Sequence, residues 1–579
     1  MSTIVSGHVT TPAEVAGGAR AALDAGLDAG LDAAVAYLRR EQRGGDHWVG
    51  VLSSSALATA MSIVALHLAD AARFHEQIAR GRRWLRQTQA ADGGWGDAVV
   101  DVSNINATSL ALAALALTTS HAAADEENGE AETLGRARLA EFGGWAAVGD
   151  PDRCTLSGPC RTVAALAGLM DGRHIKRLRP EVILLPARLR RTISTTFPAY
   201  LSIALLHATL APHPLNALPS YARARRQALD WLRRARGANG SFEESAFLTS
   251  VIIMGLIASG NGGMPWLDAG IAFVAVSQRA DGGWPIDRDL ETFDTDLSVF
   301  ALDETGEAIP GAERVRSWLL DRQLTHSCFP TGARPGGWAW AMPAGWPDAD
   351  DTSYTLLALR TLGVAASAPA IRRGARWLEG MQNRDGSWST FVRGSRMPFD
   401  HDCPYITSHV LSALATTGWL ATRPHIRDRA LAYLARTQRY DGSFASIWFR
   451  EATAGTASVL EALSDCDLLA TPMAARAREA LLRGQNDDGG WAGLRMQPST
   501  AEETAWAVLA LLRCEGDAPA RKAAAAGARW LLRHQRDDGG WEPAPIGLYY
   551  SAMWYADSYY AVTLPLRALA RARSRHVFA

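Results

Sequence analysis

The run Trp338-Ala339-Trp340-Ala341-Met342-Pro343-Ala344-Gly345-Trp346-Pro347-Asp348-Ala349-Asp350-Asp351-Thr352 places three carboxylates within four residues, beside three tryptophans. Carboxyl groups crowded together in an apolar setting resist ionisation, because desolvation and like charge both raise the pKa. Such a set titrates as a coupled group and holds at least one proton near neutral pH. That arrangement can deliver a proton into an apolar pocket. The same residue types also suit a second, purely structural role: Asp and Thr are good helix N-caps, and a helix starting near Thr352 would use them. Local sequence leaves both readings open.

The elements around this run follow a repeat. Gln89-x3-Gly93-x-Trp95 recurs as Gln278-x3-Gly282-x-Trp284 and Gln382-x3-Gly386-x-Trp388. It recurs again as Gln438-x3-Gly442-x-Phe444, Gln485-x3-Gly489-x-Trp491 and Gln535-x3-Gly539-x-Trp541, with degenerate copies ending at Trp48 and Phe242. From Trp388 onward the spacing is 56, 47 and 50 residues, a period that marks a stacked or toroidal repeat. An amphipathic run such as Ala430–Ala435 precedes each phrase, and an Ala/Leu-rich run such as Thr504–Leu512 follows it. Apolar spacing of three and four makes both runs helices. The Asp-Gly-Gly pair ends the first helix with a left-handed cap. The Gln amide ties to neighbouring backbone while the Trp lies over a helix end. Units of helix, turn and helix closed into a ring give an all-α α/α barrel.

Composition narrows the function classes. At 579 residues the chain exceeds one ordinary core, so two or more domains are expected. Lys and Arg total 59 against 60 Asp and Glu, so no basic excess points to nucleic acid. Cys154, Cys160, Cys328, Cys403, Cys466 and Cys514 form no CxxC pair, which suggests reduced thiols and no zinc site. The polar start predicts no secretory leader, and the lack of a long uninterrupted apolar run predicts no membrane span. Residues 12–36 read as a loose arm or weak helix, and Asp125 to Glu132 as a solvated loop.

Taken together these phrases resemble the squalene–hopene cyclase family of protonation-initiated (class II) terpene cyclases, over about residues 33 to 571. The Gln-Gly-Trp repeat is a family hallmark, and Pro347-Asp348-Ala349-Asp350-Asp351-Thr352 is similar to its DxDD motif. Ile406-Thr407-Ser408-His409-Val410-Leu411 resembles the phrase carrying the histidine partner of the acid. Ser499 to Ala507 and Arg179 to Pro186 also match in place and order. The resemblance implies two α/α barrels: a catalytic one over 1–32 plus 265–579, and a second, over 33–264, inserted in it. Asp350 would be the general acid, flanked by Asp348 and Asp351 and oriented by His409.

By position, Phe293 replaces a family tryptophan, while Trp340, Phe391, Trp448, Tyr549 and Tyr560 keep aromatic places suited to stabilising a carbocation. Met553 and Asp557 stand where the family has aromatics, and Ala454 where it has a tyrosine that helps reprotonate the acid. These departures, with the short segment from Phe391 to His409, imply a product of two to four rings or a different substrate, with Asp557 as terminating base or as the group that orients the terminating water. The phrases His47 to Ser55 and Asp402 to Thr407 look nearer the sporulenol and tetraprenyl-curcumene side of the family.

The implied substrate is a squalene-like polyene. The alternatives are a C15–C20 prenyl diphosphate, held by Arg188, Arg190, Arg191, Arg393 or Arg396 with Mg²⁺, and a prenylated aromatic. A class apart is a non-catalytic α/α toroid, or a protein prenyltransferase-like scaffold with an Asp/Cys/His zinc site. The resemblance implies no cofactor, Mg²⁺ entering only with a diphosphate. It further implies no nucleic-acid partner, a homodimer as an option, and a cytoplasmic protein peripheral on the inner face of the cell membrane. Docking would use Val182 to Leu210, where apolar patches alternate with Arg188, Arg190 and Arg191.

Overall fold

The computed structural model describes residues 12–99, 102–119, 126–175, 177–190, 196–397, 400–549 and 553–578. Among the described residues, six helices close into a ring: Glu291–Thr305, Ala349–Thr361, Pro404–Thr416, Thr453–Asp465, Ala501–Leu511 and Tyr560–Ser574 each pack against the next, and the last packs against the first. These inner helices are apolar on nearly every side; every residue of Ala501–Leu511 is buried. A helix without a polar face must be covered all round, and an outer ring does so. Ala312–Asp321, Pro369–Met381, Pro424–Thr437, Pro472–Gly484 and Ala518–Arg533 are amphipathic; Pro369–Met381 buries Ile371, Gly374, Ala375, Trp377 and Leu378 and turns its arginines to solvent. The remaining outer place is filled by the first helix, Pro12–Glu41.

The second barrel has the same plan. Ala56–Asp70, Ile105–Thr118, Ser157–Leu166, Phe197–Leu210 and Ala246–Leu256 form its closed inner ring. The chain therefore starts the larger barrel with one helix, leaves to build the smaller one, and returns. Pro12–Glu41 runs unbroken through the expected boundary at 32/33, and Leu267–Val276, beyond the expected boundary at 264/265, packs on Ala246–Leu256 and Ala56–Asp70.

The repeated turn is a joint between three helices. At Trp388 the indole N–H donates to the Leu378 carbonyl, ten residues back in the preceding outer helix, at 2.7 Å. The Trp388 backbone N–H donates to Thr407 Oγ1 on the following inner helix at 3.1 Å. The Gln382 amide donates to Gly386 O at 3.1 Å and to Ile426 O, in the next outer helix, at 3.0 Å. Gly386 sits at φ +98 and abuts the Arg429 carbonyl, so a side chain there would meet both backbone strain and a collision. Sequence reading missed one such joint. Gln323 donates to Gly336 O and Ala370 O, and Trp338 to Leu319 O and Thr352 Oγ1, although nine extra residues lengthen this loop compared with Gln382–Gly386. This irregular joint is the one that leads into Asp348.

Two local expectations change. Residues 126–132 are helical, as the first turns of Glu126–Glu141; Asp125 lies outside the described residues. The apolar patch Leu201–Leu206 is buried in the inner ring of the smaller barrel, so it is core. Leu184, Leu185 and Leu189 are the exposed apolar residues of that region. No described helix is long and apolar enough to cross a membrane.

Candidate active site

Asp348 is the N-cap of Ala349–Thr361. Its Oδ1 accepts the N–H groups of Asp350 and Asp351, both at 2.8 Å, while its own N–H donates to Trp338 O at 3.0 Å. Both readings of the acidic run therefore describe the molecule, since the capping residue also crowds its neighbours. Asp348, Asp350 and Asp351 are 1%, 7% and 7% exposed. Burial, then the charge of Asp351, holds the Asp348 carboxyl well above its ordinary pKa. Burial pushes Asp351 up to about 7. The neighbouring inner helix adds Asp296, also raised by burial, whose Oδ2 accepts from Thr355 Oγ1 at 2.7 Å.

Asp350 differs from its neighbours in having a basic partner. Its Oδ1 lies 2.5 Å from His409 Nδ1, on Pro404–Thr416. The other imidazole nitrogen meets Ser458 Oγ and the Tyr354 hydroxyl, both at 3.2 Å. Tyr405 stands edge-on to the imidazole with ring centroids 4.1 Å apart. An imidazole N–H donating to Oδ1 leaves the other carboxyl oxygen to carry the acid proton and fixes its direction.

Asp348, Asp350 and Asp351 line a cavity of about 670 Å³. Phe293, Trp340, Phe391, Trp448, Tyr549 and Tyr560 line it too, as do Phe449 and Tyr555. The rings meet edge to face: Trp340 with Phe391 at 5.6 Å, Phe391 with Trp448 at 5.9 Å, and Trp448 with Tyr549 at 6.2 Å. This wall offers π faces and excludes water. Cation–π attraction is worth about 2 kcal/mol or more per desolvated contact.

Met553 and Asp557 are not on this wall. Met553 is fully buried in the short hairpin Gly547–Tyr549/Met553–Tyr555, paired with Tyr549. Asp557 is fully buried as well; its Oδ1 accepts from Tyr559 N–H at 2.6 Å, and it crowds Gly50 together with Asp294. Tyr555 and Phe449 keep this end of the cavity aromatic, so the substitutions at 553 and 557 give no reason for early termination. Ala454 is buried at the start of Thr453–Asp465. Arg393 and Arg396 are exposed and Arg190 is half-buried, donating to Ile183 O, all away from the cavity; Arg191 and the Arg188 side chain lie outside what is described. Glu243, Asp287, Leu290, Thr390, Phe449 and Tyr555 also line the cavity, and none was singled out from sequence.

A second cavity, of about 1210 Å³, occupies the opposite end of the larger barrel and reaches His409 and Tyr354 from behind. It is polar. Arg571 forks between Glu304, at 2.8 Å, and Glu461. Burial opposes the Glu461 charge, but Arg571, Arg513 and Arg567 outweigh it and hold the carboxyl well below its usual range. The Asp350–His409 pair thus separates an aromatic chamber from a polar one. Among the described residues, no group of three or more His, Cys, Asp or Glu could hold a metal ion.

The family model of the squalene-hopene cyclase C-terminal domain matches residues 290–574, and that of the N-terminal domain matches 31–198. The squalene–hopene cyclase of Bradyrhizobium diazoefficiens is 36% identical over 267 residues, covering 39% of this chain and 40% of that protein. Drimenyl diphosphate synthase of Streptomyces showdoensis is 29% identical over 258 residues, covering 43% and 45%. The matched stretch thus spans less than half the length of these relatives. The solved ent-copalyl diphosphate synthase from Streptomyces platensis shares the fold, with a TM-score of 0.58 and 20% identity over 95% of this chain and 99% of that one. With its two barrels each matched by one half of the same family model, this chain belongs to the squalene–hopene cyclase family.

Proposed function

We propose that the chain is a class II cyclase that protonates an uncharged linear isoprenoid and folds it into rings. The observation that carries this reading is the 2.5 Å contact between Asp350 and His409 at the wall of an aromatic cavity. Asp350 gives its proton to a terminal alkene. The alkene π pair becomes the new C–H bond and leaves a tertiary cation. His409 holds the acid and stabilises the carboxylate left behind. Asp348 and Asp351 are both raised by burial, so a competing charge beside Asp350 is disfavoured. Water would quench the cation, and the aromatic wall keeps water out while attracting positive charge.

The lining supports an uncharged substrate. Its ionisable residues are Glu243, Asp287, Asp348, Asp350, Asp351 and tyrosines, with no Lys, Arg or His among the described lining residues. A diphosphate in this cavity would meet carboxyl groups and no cation. The proton transfer itself calls for no metal. The domain division we adopt is the larger barrel for the acid and the smaller one for the far cavity wall, through Glu243. We extend the reading to a peripheral protein on the cytoplasmic face of a membrane. There Leu184, Leu185 and Leu189, exposed near Arg190, would enter the leaflet.

The test is to offer the purified chain squalene, tetraprenyl-curcumene and C15–C20 prenyl diphosphates, with EDTA or with Mg²⁺, and to identify products by mass spectrometry. Cyclisation of a polyene in EDTA, lost in Asp350→Asn, is the expected result. Conversion of diphosphates alone, and only with Mg²⁺, overturns the uncharged-substrate reading.

A further inference from the structure

Two carboxyl groups of the cavity wall have no part in the acid machinery. Glu243 comes from the turn that enters Ala246–Leu256 in the smaller barrel, and Asp287 from the strap that follows Trp284. Backbone pairing locks the two segments together: Ser245 bridges Asp287, Ser245 Oγ donates to Ile286 O at 2.9 Å, and Arg288 N–H donates to Glu244 O at 2.9 Å. Glu243 and Glu244 both take left-handed backbone, at φ +58 and +55, which non-glycine residues adopt rarely. Glu244 accepts from Asn239, Ser241 and the Ala344 N–H and pairs with Arg288. Glu243 is turned to the cavity instead.

These groups lie at the other end of the aromatic wall from the acid. Asp350 stands against His409, which touches Tyr354. From Tyr354 the rings run to Phe293 at 4.9 Å, Tyr560 at 5.8 Å, Tyr555 at 6.2 Å and Tyr549 at 4.4 Å. Asp287 sits beside Tyr549 and Ser245, and burial raises it to about 7. It is only 6% exposed, as is Glu243. A buried carboxylate poised near neutrality at the end of a cation's path has the properties of a base. Asp557 has no access to the cavity.

Resting on the cyclase reading above, we propose that Asp287, with Glu243 as the second carboxyl group of that end, takes the proton that terminates cyclisation. The proton from Asp350 enters at the first alkene. Each later alkene gives its π pair to a new C–C bond and moves the cation toward Tyr549. There a C–H bond next to the cation breaks. Its electron pair becomes the final double bond, and its proton goes to an Asp287 oxygen. Nothing is oxidised or reduced, the product is an isomer of the substrate, and Asp287 returns the proton to solvent before the next turnover.

The experiment compares products of the full-length wild type, Asp287→Asn, Asp287→Glu and Glu243→Gln on squalene and tetraprenyl-curcumene. Asp287→Asn keeps the shape and the Ser245 contact but removes the base. It is expected to keep consuming substrate while the wild-type double-bond position ceases to be the main product, replaced by other alkene isomers or by alcohols from water capture. Asp287→Glu is expected to restore that position. Glu243→Gln, on a separate element, is expected to shift the same ratio, so the proposal stays open to refutation even if one variant folds poorly. A wild type that converts one polyene while both neutral variants return its product in unchanged ratio overturns the assignment of the base alone. A wild type that converts neither polyene overturns the cyclase reading beneath it.

Discussion

Asp350 and His409 form a two-residue device, and their substitution should separate their roles. Asp350→Asn removes the only proton donor of the scheme and should abolish turnover with the fold intact, as read by product formation and circular dichroism. His409→Ala leaves the donor but not its partner, so activity should fall about 10²-fold or more. Retention of a tenth of the wild-type rate by Asp350→Asn would refute the assignment. The buried acids also predict how stability depends on pH. Burial raises Glu502 to about 8 and Asp400 to about 7 in the folded chain, above their ordinary values near 4 in the unfolded one. The folded state therefore holds protons that the unfolded state has released. Their stabilising contribution is full below pH ~4 and is lost as pH rises through 7 and 8. Thermal midpoints should drop across that window, and Glu502→Gln should flatten the drop. At this scale the contact between Asp350 and His409 was legible because each sits in a short recognisable phrase. The place of Asp287 and Glu243 on the cavity wall was not, because they meet only after two distant segments pair. Asp557 misled for the complementary reason: its place in the chain aligned with pocket residues, while its side chain turned to Gly50 and Tyr559 behind the wall.

At the level of elements, the Gln-Gly-Trp joint carries the architecture. Its helices and left-handed glycines are readable from composition and period, which is why an all-α ring could be inferred. The irregular Gln323–Trp338 joint escaped because its hydrogen bonds are conserved through geometry while its spacing is not. Trp388 is fully buried, so Trp388→Ala should cost about 3–5 kcal/mol. Gly386→Ala should cost more than about 1 kcal/mol, because it adds a side chain at positive φ against the Arg429 carbonyl. Chemical denaturation of each variant checks both. A Gly386→Ala change that leaves the midpoint unmoved would mean that the turn relaxes freely.

For the whole molecule, the two-barrel plan puts Asp350 in one barrel and Glu243 in the other, so both barrels contribute to the cavity wall. Leu184, Leu185 and Leu189 give the smaller barrel an exposed apolar edge near Arg190. Flotation with anionic liposomes at low salt should carry the wild type into the lipid fraction, and replacing the three leucines by Ser should leave it behind. Equal flotation of both proteins would mean that this edge does not dock.

The joint that completes the larger barrel lies between its first outer helix and its last turn: the Gln535 amide donates to Gly30 O across 505 residues of chain. The smaller barrel closes sooner, when Trp284 reaches Thr59 across 225 residues. During synthesis at about 5–20 residues per second, the first helix waits on the order of a minute for its partners. Throughout that interval Leu27, Leu31, Val35 and Leu38, all buried at the end, remain uncovered. The smaller barrel is thus assembled as a finished body on the nascent chain while its host is still open. Of the described helices, the first is made longest before its partners, and it is the segment most in need of a chaperone's shelter.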